Sequence, residues 1–598
     1  MAPLLALDAA ASLLTDTLHE RGHREPASRT LHTRRWARRL MQRHSALRNS
    51  ATPPWTACRC NLSTAVRLSS AGALDRALRV HAPPDWSPSG WPPELAAMLA
   101  RGVVRRGNPD RLLRAMRAAR RGEPVVVGVG SSLAGINGGA VGAWQDRFSN
   151  LTYIDPLHRV TGDVFVPGWL LPIFDAIAPH RHRHPNSTLV NVAQPGSPLG
   201  VYRTCTRQLV PPRADVIVVD AAVIDEQRSN LENVLRRLLA LQGAPAVILA
   251  NFVRWCDPEV GPCDARCQRM PQHVRLNSNR KMAANGSCYQ QPYLNSSLAR
   301  AARREAPLNE LADHYDLPVL SARAAFSDAV ARGLAGFDPR KLTSDSLHPK
   351  LCTLDDLERG GHGVCRGSLL LSSLVVSYVH SVFDAARSPH AHDGGGGGAS
   401  ARPLPPLLWQ PPRKQRRGDE IDQACFAWGA SRAKPPPVVA AEGFRYTETD
   451  TATEWEAAPG PARRPKPGFT AFAPGSRLKL RLDTRGLCAA DTRGRCTVAP
   501  ARKLSLNLMY LSSYSAMGQG AVTCDGGCSC ERTEFDAYRG AEASQRDVSL
   551  WQEVAVGSVV MRPSAESCDI AVAVLNTTRS GGHKVKLRGV TLSAWPVE

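Results

Sequence analysis

Between residues 108 and 384 the chain alternates short, almost uninterrupted apolar runs with longer segments whose apolar residues recur every three or four positions. The short runs are typical of parallel strands buried on both faces, and the longer segments are typical of amphipathic helices. The runs are 124–129, 188–193, 215–224, 246–253 and 317–322, and the clearest helical segments are 230–242 and 297–315. The alternation predicts a three-layer α/β domain, which we assign to residues 106–387.

A second pattern follows further along the chain, where short runs alternate apolar and polar residues between Gly, Pro and Asp turns. These runs are 476–484, 503–514, 548–561, 568–576 and 583–595. Strands of this length and spacing predict an antiparallel β-sandwich over residues 419–598. Residues 388–418 are rich in glycine, then in proline and basic residues, which predicts a linker between the two domains.

Three further segments complete the predicted organisation. Residues 1–105 are basic and are expected to be partly disordered. Residues 254–296 carry four cysteines and interrupt the α/β pattern, so they are interpreted as a surface insertion. The apolar stretch at 368–383 is shorter than the roughly 20 residues that a membrane-spanning helix needs, so it predicts a buried closing helix and no membrane span.

The formal net charge is +22, and a polyanion is therefore a conceivable partner. Much of the excess is local, at 32–44, 106–122 and 413–417, and no aromatic-and-basic nucleic-acid module accompanies these runs. We therefore expect no nucleic-acid binding.

Sixteen cysteines, most of them in clusters, indicate disulfides formed in an oxidising compartment. Their spacings differ from the paired C-x2-C pattern of common zinc sites, so no metal site is expected. Six glycosylation triplets point the same way, and they begin at Asn61, Asn150, Asn186, Asn285, Asn295 and Asn576. Although residues 1–18 lack a basic start and a clear cleavage site, the cysteines favour secretion or the secretory-pathway lumen.

The most informative short stretch is "GVGSSLAG" at residues 128–135, which follows the first apolar run. Glycines after a strand allow a tight turn that leaves a serine exposed near a helix N-terminus. The same residues are compatible with a structural Gly-Ser corner, and this alternative stays open on the motif alone.

A second motif, "TSDSLHPK" at 343–350, stands just before the closing helix. Asp345 and His348 have the spacing D-x-x-H, which lets the carboxylate reach the outer ring nitrogen of the histidine within one loop. In a Ser-His-Asp arrangement the histidine removes the serine proton, and the aspartate fixes its tautomer and stabilises the imidazolium. A turn with a solvated histidine is the alternative.

Taken together, in this order and on this fold pattern, the two motifs resemble the SGNH (GDSL-like) hydrolase superfamily, in particular algal-type members with a C-terminal β-domain. The first block of that superfamily corresponds to Gly130-Ser131-Ser132 and the last to Asp345 and His348. The second block contributes a glycine from "NVAQPGSPLGVY", for which Gly196 is the first choice and Gly200 the reserve.

The resemblance implies a flavodoxin-like parallel sheet and a serine esterase that removes acyl, in particular acetyl, groups from carbohydrate or small ester substrates. Ser132 would be the nucleophile, His348 the base and then the acid, and Asp345 the orienting group. The backbone N–H groups of Ser132 and Gly196 would bind the oxyanion. No cofactor and no metal would be needed, and the β-domain would be an accessory domain that could hold the polymer.

One position departs from the superfamily pattern. The third block, which usually ends in Asn-Asp, corresponds to "VVDAAVID" and ends in Ile224-Asp225. The side-chain amide that would donate to the oxyanion is therefore absent, and losing one such donor costs about 10²–10³ in rate. Asn230 and Asn251 are alternative donors. Two other functions stay open, a polysaccharide O-acetyltransferase and a catalytically impaired glycan-binding protein.

Overall fold

The computed structural model describes parts of the chain between residues 93 and 594, all within one compact unit, Cys60–Glu598. The described residues are 93–121, 125–130, 142–145, 152–153, 164–167, 169–177, 188–193, 199–220, 228–255, 293–334, 336–343, 366–387, 404–409, 423–428, 435–449, 465–485, 487, 489–490, 496–497, 503–513, 516–539, 550–562 and 565–594.

The first half of the described chain alternates helices and strands, as the hydrophobic pattern predicts. Its helices are α1 (Pro93–Gly102), α2 (Asp110–Arg121), α3 (Leu170–Ile177), α4 (Gly200–Leu209), α5 (Arg228–Leu239), α6 (Tyr293–Tyr315), α7 (Ala322–Ala331), α8 (Pro339–Leu342) and α9 (Arg366–Arg387). Its strands are β1 (Val103–Arg105), β2 (Val125–Gly130), β3 (Gly142–Gln145), β4 (Thr152–Tyr153), β5 (Val164–Pro167), β6 (Thr188–Asn191), β7 (Val216–Asp220), β8 (Ala246–Asn251) and β9 (Val319–Ser321).

The central sheet has the order β6-β2-β7-β8-β9-β1. Every neighbouring pair is parallel except β9 and β1, which are antiparallel. In chain order the five parallel strands therefore run 2-1-3-4-5, the order of flavodoxin-like sheets. The prediction of an α/β domain with a parallel sheet is confirmed, and because α1 and β1 belong to it, the fold begins before residue 106.

Alternate residues of each strand face opposite layers, which is why the strands are apolar throughout. In β2, Val126 packs into a core with α1, α3 and α9, whereas Val127 and Val129 pack into a second core with α4, α5 and α6. Helix α9 is buried against the first of these layers, as expected for the apolar stretch at 368–383. Among the described residues no helix is long and apolar enough to cross a membrane.

A small antiparallel sheet, β4-β3-β5, follows β2 where the glycine-rich sequence favours a helix start. Residues 131–141 lie outside the described part of the chain, and the next described element is the strand β3. Trp144 is paired in register with Tyr153 and Phe165, and aromatic residues of this kind are enriched in strands.

The predicted insertion at 254–296 is described only at its two ends, and both belong to the α/β core. Trp255 is buried there, and α6 begins at Tyr293. Residues 256–292, with their four cysteines, lie outside the described residues.

The second half of the described chain is a β-sandwich, as predicted. Its strands are β10 (Gln423–Ala427), β11 (Val438–Glu442), β12 (Arg445–Thr449), β13 (Pro465–Ala471), β14 (Arg477–Asp483), β15 (Ala489–Ala490), β16 (Cys496–Thr497), β17 (Lys503–Ser512), β18 (Gln519–Gly526), β19 (Cys528–Ser529), β20 (Thr533–Asp536), β21 (Leu550–Met561), β22 (Ser567–Val574) and β23 (Val585–Ala594). One sheet has the order β12-β13-β23-β17-β21-β19, with β10 also paired to β23, and the other has the order β11-β14-β22-β18-β20. Their inner faces share one core, to which β14, β17, β22 and β23 all contribute.

Part of the predicted linker is a packed segment. Residues 404–409 lie against the α/β domain, where Glu232 of α5 accepts hydrogen bonds from the backbone N–H groups of Leu408 and Trp409 and, at 2.6 Å, from the hydroxyl of Tyr315. Leu408 and Trp409 also pack against the hydrophobic core on that face. The composition predicts an extended linker, but here its apolar residues are held by tertiary contacts.

Candidate active site

The carboxyl ends of β2 and β7 mark the point where the strand order reverses. The two strands are neighbours in the sheet, but after β2 the next strand of the sheet along the chain is β6 on one side, and after β7 it is β8 on the other. In open α/β sheets, ligands bind in the crevice that forms at such a point. The edge between β2 and β7 is therefore the candidate active site.

The end of β2 has a backbone that requires glycine. Gly130 has a φ of 150°, a conformation that residues with a Cβ atom rarely adopt. A Cβ atom at Gly128 would lie 2.7 Å from Cδ2 of Leu170 in α3. Ser131 and Ser132 follow Gly130 directly in the sequence, and both lie outside the described residues.

The second block begins at the end of the neighbouring strand β6. The last ladder bond between the strands runs from the N–H of Val192 to the carbonyl of Gly128, at 3.0 Å. The next N–H, that of Ala193, donates to Oδ1 of Asn191 at 3.1 Å, which is the hydrogen bond of an Asx turn. Gly196, which precedes α4 in the sequence, lies outside the described residues.

A buried tyrosine joins the ends of β2 and β6. The hydroxyl oxygen of Tyr202, on α4, lies 3.0 Å from the carbonyl oxygen of Gly130 and 2.7 Å from that of Val192. Tyr202 is fully buried. Its single hydroxyl hydrogen is therefore shared between two backbone carbonyls at the candidate site. Tyr202 is the last residue of the second-block stretch "NVAQPGSPLGVY", but no sequence signal links it to Gly130, 72 residues away, and its role was not predicted.

The stretch assigned to the third block, residues 218–225, begins within β7, which ends at Asp220. Asp220 is fully buried there, and Ile224, four positions later, lies outside the described residues. The two alternative asparagines differ in their surroundings. Oδ1 of Asn230, on α5, accepts a hydrogen bond from Arg203 at 3.2 Å. Asn251, the last residue of β8, is fully buried, and its amide has no hydrogen-bond partner among the residues that the structure describes.

The segment that contains Asp345 and His348 starts from the carboxyl edge of the sheet. Thr343, two residues before Asp345, is buried, and its hydroxyl donates to the carbonyl of Pro339 at 2.9 Å. Thr343 lines a small cavity together with Val253 and Trp255, which follow β8. Asp345 and His348 lie outside the described residues, so their roles stay predictions, as does that of Ser132.

The prediction that cysteines of this chain form disulfides is confirmed. Within the described part of the chain Cys205 is bonded to Cys425, Cys524 to Cys530 and Cys528 to Cys568. The sulfur atoms of Cys524, Cys528 and Cys568 lie within 4.8 Å of one another, but each belongs to a disulfide and is not a free thiolate ligand.

The disulfide between Cys205 and Cys425 connects α4 to the β-sandwich strand β10. Ala427 of β10 and Met509 of β17 pack into the same hydrophobic core as α4 and α5. The two predicted domains therefore share a core at this face, in addition to the covalent link.

Charged groups next to this disulfide are desolvated. Glu553 of β21 lies 3.6 Å from the guanidinium of Arg203, and burial raises the pKa of its carboxyl although Arg203 opposes the rise. Arg588 of β23 lies over the ring of Trp551, 5.2 Å from its centroid, and burial lowers the pKa of its guanidinium to about 10. Both side chains come from the β-sandwich face that meets α4.

Aromatic residues of the C-terminal region could stack on sugars or fill the sandwich core; the four candidates are Trp455, Tyr510, Tyr514 and Trp551. Two of them are described, and both are buried in the sandwich. Trp551 is 1% exposed and Tyr510 is 7% exposed, and Tyr510 packs against Phe535 with ring centroids 4.7 Å apart. Neither ring offers a free face to a ligand. The other two candidates, Trp455 and Tyr514, lie outside the described residues.

No family model matches this sequence, and no curated protein matches it. A similar solved structure is a two-domain esterase (CEX) active on acetylated mannans, co-crystallized with mannopentaose, with 13% identity, a TM-score of 0.44 and coverage of 84% of this chain and 99% of that one.

Two other similar structures match only part of the chain. One is the CBM36-1 domain of a multidomain xylanase from the hindgut metagenome of Trinervitermes trinervoides, with 9% identity, a TM-score of 0.17 and coverage of 29% of this chain and 96% of that one. The other is the CBM35 from Cellvibrio japonicus Abf62, with 14% identity, a TM-score of 0.15 and coverage of 29% and 92%. Because all three TM-scores are below 0.5, the proposed function rests on the residues of this chain and on the motifs that they form.

Proposed function

We propose that this protein is an SGNH-type serine esterase that removes acyl groups, acetyl in particular, from carbohydrate. The observation that supports the proposal is the end of β2, which the serine pair follows in the sequence. Ser131 and Ser132 directly follow Gly130, whose positive φ ends β2 at the point where the strand order reverses. A ligand at that crevice would meet the residues that follow β2 first.

In the proposed mechanism, Oγ of Ser132 attacks the ester carbonyl while His348 takes the hydroxyl proton. Asp345 holds the imidazole in the required tautomer and stabilises the imidazolium. The N–H groups of Ser132 and Gly196 would stabilise the oxyanion of the tetrahedral intermediate. His348 then returns the proton to the departing sugar hydroxyl, which leaves an acyl-serine.

Water completes the cycle. His348 removes a proton from a water molecule that attacks the acyl-serine. As the second tetrahedral intermediate collapses, the bond from the acyl carbon to Oγ breaks and His348 gives the proton to Oγ, which releases the carboxylic acid and restores the Ser132 hydroxyl. No cofactor or metal takes part in this sequence.

The choice of an acylated carbohydrate follows from the superfamily resemblance, and a small ester would undergo the same chemistry. The three disulfides support a secreted or lumenal location, because such bonds persist in oxidising compartments. Polysaccharides of a cell wall or extracellular matrix would be accessible there.

A direct test is labelling by a fluorophosphonate probe together with hydrolysis of p-nitrophenyl acetate. Ser132→Ala should abolish both, whereas the matched variant Ser131→Ala should retain much of both, because only one serine of the pair is the nucleophile. Labelling of Ser131, or equal loss in the two variants, would show that the block assignment is wrong. Absence of labelling and hydrolysis in the wild-type protein would contradict the esterase function.

Ile224 is the feature that favours a different function. An apolar side chain in place of the third oxyanion donor is compatible with a glycan-binding protein that has lost catalysis, and this alternative predicts glycan binding without probe labelling. A polysaccharide O-acetyltransferase would instead be labelled and would transfer acetyl groups from a donor to sugar hydroxyls. A donor-dependent transfer assay separates it from the hydrolase.

A further inference from the structure

We infer that Tyr202 is a positioning residue for the esterase reaction: its hydroxyl sets the separation of the two strand ends that lead to the nucleophile and to the second oxyanion donor. This inference rests on the proposed function, because it concerns the same site. It adds to the predicted catalytic set a residue that closes the second-block stretch "NVAQPGSPLGVY" but to which the sequence alone assigns no role.

The hydroxyl of Tyr202 lies where the hydrogen-bond ladder between β2 and β6 ends. Carbonyls two residues apart on a strand point to the same neighbour. The carbonyl of Gly128 accepts from Val192 of the β6 chain, so that of Gly130 points toward the same side, beyond the last ladder bond. The hydroxyl of Tyr202 lies at that position, 3.0 Å from the Gly130 oxygen, and it bonds the Val192 carbonyl at 2.7 Å as well.

Both carbonyls belong to residues that stand shortly before the proposed oxyanion donors in the sequence. Gly130 is two residues before Ser132, and Val192 is four residues before Gly196. These are the two residues whose N–H groups are proposed to hold the oxyanion. A change in the separation of the strand ends would therefore move the two donors relative to each other, and a misplacement of about 1 Å can cost about 10²-fold in rate.

Tyr202 is itself held in place by its burial and by the contacts of its neighbours on α4. The ring is fully buried between the sheet and α4. One turn further along the same helix, Cys205 is bonded to Cys425 of the β-sandwich, and the hydroxyl of Thr206 bonds the carbonyl of Tyr202. Arg203, the next residue, lies 3.6 Å from Glu553. The position of the hydroxyl is thus supported by the contacts of three neighbouring residues of α4.

The experiment compares Tyr202→Phe with a matched control, Tyr378→Phe. Both tyrosines are buried, and each donates to a backbone carbonyl, but Tyr378 bonds that of Arg106, at 2.7 Å, at the opposite edge of the sheet. Phenylalanine keeps the ring and removes only the hydroxyl. We measure kcat and KM for p-nitrophenyl acetate, the fluorophosphonate labelling rate and the melting temperature.

Tyr202→Phe should lower kcat and the labelling rate by about 10- to 100-fold and leave KM within about twofold, because the oxyanion donors act in the transition state. Tyr378→Phe should keep kcat within about twofold of the wild-type value, even if its melting temperature falls by as much as that of Tyr202→Phe. Equal kcat values in the two variants would overturn the inference while the esterase function stands. A wild-type protein that is neither active nor labelled would overturn the proposed function and this inference with it.

Discussion

Removing the disulfide between Cys205 and Cys425 should cost more free energy of unfolding than removing any short-range bridge. The bond closes a loop with a sequence separation of 220 residues. In the chain-entropy description, a loop of that length corresponds to about 5 kcal/mol at 25 °C. We therefore expect the variant with both cysteines replaced by alanine to be less stable by that order. Alanine avoids the burial of an unpaired hydroxyl at Cys205, which is 1% exposed.

The matched control is the same double replacement at Cys524 and Cys530, whose separation is 6 residues. The same relation gives about 2 kcal/mol for this loop, so the two variants should differ by about 3 kcal/mol. Urea unfolding followed by tryptophan fluorescence measures both. Equal losses, or a smaller loss at Cys205 and Cys425, would refute the assignment of the stabilisation to loop closure between the two domains.

Two further predictions concern the oxyanion and the domain contact. Ile224→Asn should raise kcat by at least about tenfold, because it supplies one more donor to the charged transition state, and the gain should vanish in the Ser132→Ala background; an unchanged kcat in a folded variant would contradict it. Burial raises the pKa of Glu553 above 4.5, so the folded protein binds this proton more tightly than the unfolded chain does. The melting temperature of the wild type relative to Glu553→Gln should therefore fall as the pH rises above about 4.5. A relative melting temperature that stays constant or rises over that range would contradict the assigned pKa shift.

The strands of the α/β sheet could be predicted because burial on both faces leaves a direct mark on the sequence. The runs at 246–253 and 317–322 contain the observed strands β8 and β9, and all residues of both strands are buried. The predicted helix at 297–315 is part of the observed α6, which continues through Pro307. A proline inside a helix removes one hydrogen bond, but the packing of a long amphipathic face outweighs that loss here.

The connection between the two domains could not be predicted, for a physical reason. Cysteine spacing leaves the disulfide pairing open, and Cys205 and Cys425 are brought together only by the folding of both domains. The contact between Glu232 and residues 404–409 has the same origin. Composition describes the local stiffness of a Pro-rich segment but not the surface on which it lies.

For the candidate site, the sequence supplies the residue types and their order, and the structure supplies the location of the edge where they would meet. Gly130 is an example of what the sequence and the structure each contribute. Its place in the motif predicts a corner, and its φ of 150° explains why that residue is a glycine. The contact of Tyr202 with two strands depends on the tertiary arrangement of α4, and no local pattern encodes it.

The arrangement of α4 changes the interpretation of the β-sandwich as a separable accessory domain. This helix supplies the hydroxyl that joins β2 to β6, and it also supplies Cys205 and Arg203 to the contact with the sandwich. Met509 and Ala427 of the sandwich lie in the same hydrophobic core as α4 and α5, so separating the domains would expose apolar surface on both. Since Gly130 and Val192 precede the proposed oxyanion donors, the β-sandwich supports the proposed catalytic edge through α4, whether or not it also binds a polymer.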